Sequence, residues 1–74
     1  MDVIKYKRTV VGWYNFTVAG VMVYNVEPSV FRRITGVSDK ASMGTAEVTT
    51  AQLIELKNAS RFIRLAQGWE WLAS

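Results

Sequence analysis

The sequence predicts a small α+β domain: an antiparallel β-sheet, made from an N-terminal hairpin and a C-terminal strand, packed by one short α-helix. Three observations predict it. Apolar and polar residues alternate along the first part of the chain, a capping box opens a helical stretch at Thr49, and alternation returns at Arg61–Leu65. The 74 residues form a single domain, 1–74, because a chain this short cannot divide its apolar residues between two cores.

The sheet is expected from residues 3–26 and about 61–66. Ile4, Tyr6, Val10, Tyr14, Phe16 and Val18 occupy even positions, and Lys5, Lys7, Thr9, Asn15 and Thr17 lie between them. Val3, Val11 and Trp13 break the pattern. One apolar and one mixed face suit strands packed on one side. Gly12 marks a bend or bulge dividing the run, and Ala19–Gly20 is the reversal into a return strand Val21–Val26.

Glu27-Pro28-Ser29 ends that strand. Val30–Ile34 then reads either as one short helical turn ended by Gly36 or as an extended edge segment. Residues 37–47, small and polar, are expected to form a surface loop. In Val48-Thr49-Thr50-Ala51-Gln52-Leu53, the Thr49 side chain can accept from the Gln52 N–H while Gln52 reaches back to Thr49, with Val48 and Leu53 spaced as a hydrophobic staple. A helix over 50–58 follows, with Leu53, Ile54 and Leu56 turned inward and Asn58 as its stop. Beyond it, 61–65 is either a strand or a continuation of the helix stacking Lys57, Arg61 and Arg64 into a basic stripe; the Asn58-Ala59-Ser60 interruption favours the strand. Gly68 sets off the tail Trp69-Glu70-Trp71-Leu72.

Composition narrows the chemistry. The chain has no cysteine and no histidine, which excludes disulfides, thiolate nucleophiles, the usual zinc sites and the commonest neutral-pH general base. The six carboxylates are scattered, the serines lack a recognisable base, and no phosphate-binding glycine loop occurs. The expectation is a protein that is not an enzyme and needs no cofactor or metal. The uncharged run Thr9–Val26 has the length of a marginal membrane span, but its β-branched, aromatic and glycine content favours soluble strands.

Half the residues are apolar and no staple is available, so a partner surface is expected to take part of the hydrophobic area, the alternative being a compact monomer with its aromatics inside. Trp13, Trp69 and Trp71 are the candidate interface anchors, since tryptophan is enriched among residues that dominate binding energy. Arg32, Arg33, Arg61 and Arg64 are the candidate charged rim. The bland alternative puts the Trp69–Trp71 pair over the domain's own core. The net charge of +3, with Lys5, Lys7 and Arg8 clustered, also allows nucleic-acid contact, although this charge is modest.

The stretch Glu47-Val48-Thr49-Thr50-Ala51-Gln52-Leu53-Ile54-Glu55-Leu56-Lys57, followed by Arg61-Phe62-Ile63-Arg64-Leu65 and preceded by Phe31-Arg32-Arg33, resembles the Mu-like prophage FluMu N-terminal domain over about half the chain. The resemblance implies a small α+β phage module that is non-enzymatic and acts through assembly; it carries over no functional residue. The resulting expectation is a minor virion component, assembled in the host cytoplasm, that decorates or joins capsid, neck or tail subunits. Its partners would be other virion proteins or further copies of itself. An inhibitor of a host protein and a nucleic-acid-binding accessory are the alternatives.

Overall fold

A computed structural model describes residues 1–65 of the chain. It has an α+β fold: a five-stranded antiparallel sheet with two short helices. The elements run β1 (Asp2–Arg8), β2 (Tyr14–Val18), β3 (Val21–Val26), α1 (Pro28–Thr35), β4 (Met43–Val48), α2 (Thr50–Ala59) and β5 (Phe62–Leu65), and the strand order is β4-β1-β2-β3-β5.

Two reversals build the N-terminal meander. Between β1 and β2, the Thr9 N–H donates to the Trp13 carbonyl at 2.7 Å and the Gly12 N–H donates to the Thr9 carbonyl at 2.9 Å. Gly12 takes φ +92°, so the chain closes as a three-residue hairpin loop with a left-handed last residue. Between β2 and β3, Ala19 (φ +49°) and Gly20 (φ +77°) form a two-residue turn whose twist matches the strands it joins.

The expected alternation buries Ile4, Tyr6, Tyr14, Phe16 and Val18. Val10 departs from it: it lies in the hairpin loop, off the sheet, and is fully exposed. In β3 the inward residues are Val23 and Val26, three apart, which a regular strand cannot place on one face. A bulge solves this. The register passes from Tyr14↔Val26 to Phe16↔Val23, Asn25 turns left-handed at φ +59°, and its N–H donates to the buried Asn15 Oδ1 at 2.8 Å.

The structure corrects the single-helix expectation, because Pro28–Thr35 is a second helix. Pro28 stands in its first turn, the Glu27 carboxylate accepts from the Val30 N–H at 3.2 Å, and the Gly36 N–H closes the other end on the Arg32 carbonyl at 2.8 Å. Its Phe31 and Ile34 reach the core. The Phe31 ring stacks on Tyr14 at 4.3 Å and 10° and meets Tyr6 edge-on at 5.4 Å. Such pairs add about 0.5–1.5 kcal/mol each beyond area burial. The Tyr14 hydroxyl donates to the Ala41 carbonyl at 2.8 Å, anchoring the following loop.

The second correction concerns residues 37–47. Their latter half is strand β4, paired with β1 from Asp2↔Val48 to Lys7↔Met43. Its burial alternates, but the inner positions are Gly44, Ala46 and Val48, of which only Val48 is fully buried, so the alternation carries little apolar bulk. A Cβ added at Gly44 would come within 3.1 Å of the Tyr6 hydroxyl, so glycine is what lets that side chain lie across the strand.

The capping box forms as expected: the Gln52 N–H donates to Thr49 Oγ1 at 3.1 Å, and the Thr49 N–H donates to Gln52 Oε1 at 2.8 Å. Leu56 is buried and Leu53 packs against the core, whereas Ile54 faces out at 55% exposure. The helix passes the expected stop at Asn58 and ends at Ala59, where the Ser60 hydroxyl donates to the Lys57 carbonyl at 2.6 Å. The Arg61 N–H then donates to the Tyr24 carbonyl at 3.0 Å, and β5 pairs along β3. The strand reading of 61–65 therefore holds, and the helical basic stripe does not form. Among the described residues no helix is long and apolar enough to cross a membrane. The run Thr9–Val26 is spent on the hairpin loop, β2 and β3.

Candidate interaction surface

The β1–β2 loop ends the sheet on two valines. Val10 is fully exposed and Val11 is 75% exposed, although positions in tight loops ordinarily favour Asp, Asn, Ser, Pro or Gly. Gly12 satisfies the loop's backbone requirement, and nothing in the hydrogen bonding that closes it calls for a β-branched residue at either position. At the base of the loop the Thr9 hydroxyl is buried without a hydrogen-bond partner among the described residues. An unpaired buried hydroxyl costs about 1–3 kcal/mol. The loop thus carries two exposed apolar side chains and an unsatisfied polar group, neither of which favours folding.

Beside the loop, Val11, Trp13, Asn25 and Arg61 line an open cleft of about 210 Å³. Three of them are positioned by different local devices. Trp13 immediately follows the left-handed Gly12. Asn25 is the bulge residue of β3, held by Asn15. Arg61 is drawn in by its backbone bond to Tyr24 at the start of β5. The Arg61 guanidinium carbon lies 5.6 Å from the Trp13 ring centroid, a cation–π distance worth about 0.5–1 kcal/mol at an exposed site. A half-buried indole, an exposed guanidinium and a side-chain amide together offer an apolar wall, a positive charge and a polar pair. That combination suits a partner side chain with an apolar body and an acidic or carbonyl end.

The structure brings Trp13 and Arg61 together and places Arg32 and Arg33 on α1. Arg33 pairs with Glu55 of α2 at 3.0 Å, both side chains largely exposed, linking the two helices. Exposed pairs of this kind contribute about 0.2–1 kcal/mol. Arg32, also on α1, acts on Glu27: with the Ser29 hydroxyl bond foremost and the backbone bonds from Ser29 and Val30, its charge holds that carboxyl below the ordinary value. Arg64 stands in β5 opposite Met22 in the register. Trp69 and Trp71 lie outside the described residues. Of the N-terminal basic cluster, Arg8 donates to the Asp39 carbonyl at 3.1 Å and so helps hold the loop before β4. Sequence reasoning missed Asn25 and the exposure of Val10. The available signal was Val-Val before Gly at a hairpin reversal, where turn formers are the rule.

No family model, curated protein or solved structure matches this chain.

Proposed function

We propose that this chain is a non-catalytic binding module that docks on another protein through the Val10–Trp13 hairpin tip and the cleft beside it. The observation that carries the reading is the exposure of Val10 and Val11 on a loop whose geometry requires neither, next to the Trp13–Arg61 pair. The valines and the indole supply apolar contact area, and Arg61 supplies a directional charged contact at its edge. The setting we propose, following the resemblance of 47–65 to a prophage module, is a tailed-phage particle, with the chain as a minor capsid, decoration, neck or tail component. Mass spectrometry of purified particles tests this setting. A peptide of this chain at fixed stoichiometry is expected. Its absence from intact particles would overturn the virion reading and favour the inhibitor of a host protein, for which the same tip would serve.

A further inference from the structure

Strand β4 closes one side of the sheet, and among the described residues nothing pairs with its far side. The backbone phase of that edge follows from one bond. The Arg8 N–H donates to the Ser42 carbonyl at 2.6 Å, and this pair continues the register Lys7↔Met43, Tyr6↔Gly44 and Lys5↔Thr45. In an antiparallel ladder the hydrogen-bonded pairs recur at every second residue. Gly44, Ala46 and Val48 therefore turn their N–H and C=O groups to β1, and Met43, Thr45 and Glu47 turn theirs outward. The strand has no proline, no lysine and no bulge against β1, and Glu47 is its one charged residue.

We propose that β4 pairs with β4 of a second copy of this chain, antiparallel across a twofold axis at Thr45, joining two sheets into one. The phase and the length of the strand together select this register. Outward-facing residues must meet outward-facing residues, which axes at Gly44, Thr45 and Ala46 all satisfy; only the axis at Thr45 pairs all three of them within β4, with Thr45 opposite Thr45 and Met43 opposite Glu47 of the second copy. Shifting the axis to Glu47 shortens the overlap and sets two carboxylates face to face, which is destabilising; shifting it to Met43 also shortens the overlap. In the Thr45 register charge is complementary along each row. Lys7 flanks Met43 on β1, and Glu47 of the second copy arrives on Met43's other side. Met43 (57% exposed) is then enclosed between the two. This surface shares no residue with the hairpin tip, so it stands or falls separately from the docking reading.

Sedimentation velocity over a dilution series, with hydrogen exchange read at each amide, tests the pairing on the full chain. The mass is expected to rise from monomer toward dimer with concentration. The Met43, Thr45 and Glu47 amides should gain protection in step, while Gly44 and Ala46 stay protected throughout. Thr45→Pro removes the central outward N–H and should leave the chain monomeric at every concentration. Glu47→Lys, which alters no backbone group, should weaken association severalfold, because it turns the attraction between Lys7 and Glu47 across Met43 into a repulsion that the axis repeats. A monomer at every concentration, a dimer without protection at the three outward amides, or a dimer indifferent to a folded Thr45→Pro chain would overturn the proposal. If Thr45→Pro unfolds, undiminished association of Glu47→Lys overturns it.

Discussion

Ala19 holds a left-handed backbone, φ +49°, that an alanine side chain resists by roughly 1–2 kcal/mol. The turn is satisfied by its position, since Ala19–Gly20 closes a two-residue hairpin between β2 and β3, and not by its chemistry. Asparagine tolerates this conformation and is the preferred residue before glycine in such turns. Ala19→Asn is therefore expected to stabilise the fold by about 0.5–1 kcal/mol. In a domain of this size that is a rise of several degrees in Tm, read by thermal denaturation. An unchanged or lower Tm would mean the turn relaxes without the left-handed residue. Asn25 already shows the favourable version: it holds φ +59° with its own N–H bonded to Asn15, and the bulge it forms brings both Val23 and Val26 to the core. The presence of a reversal at 19–20 was legible from glycine alone. The bulge was not, because its signal is a pairing of two asparagines across strands that sequence spacing does not reveal.

The helices differ in how their starts are written. For α2 the start is local chemistry, Thr49 with Gln52, and both reciprocal bonds form as the spacing requires. For α1 it is Glu27 before Pro28, a carboxylate that caps Val30 and accepts from Ser29, and this start is less conspicuous because glutamate is an unusual cap. Ionisation of that cap matters to stability. The Ser29 hydroxyl, the backbone N–H groups of Ser29 and Val30, and the Arg32 charge together lower the Glu27 pKa in the folded state. A carboxyl lowered on folding contributes stability that is present above its ordinary pKa and is lost as pH falls through the folded value. Thermal stability is thus expected to decline on acidification through the carboxylate range, and Glu27→Gln should remove part of that decline while leaving the neutral-pH fold intact. Parallel Tm–pH curves for the two chains check this; coincident slopes would remove Glu27 from the account. Strand β4 escaped the sequence reading for a different reason. Its inner face is Gly44, Ala46 and Val48, so the alternation is marked with little apolar bulk, and the glycine lies under the Tyr6 ring.

In the molecule as a whole, the strands β1 to β3, the capped α2 and β5 were legible because local pattern and tertiary burial agree there. The helix α1 and strand β4 gain their identity from packing on that scaffold, through Phe31 among the aromatic rings and through the β1 ladder. The candidate site was half legible: Trp13 and Arg61 were singled out separately, and only the fold shows that they meet. The core assembled from Ile4, Tyr6, Tyr14, Phe16, Phe31, Val48 and Leu56 uses neither Val10 nor Val11. Removing side chains that bury little should cost the fold little, and surface substitutions of this kind usually stay within about 0.5 kcal/mol. The decisive comparison is therefore between the unaltered chain and Val10→Ser/Val11→Ser, each scored for Tm and for incorporation into particles. An unchanged Tm with incorporation lost is the predicted result. A large fall in Tm, which would make the valines structural, or full incorporation of the folded variant, would contradict docking through the hairpin tip.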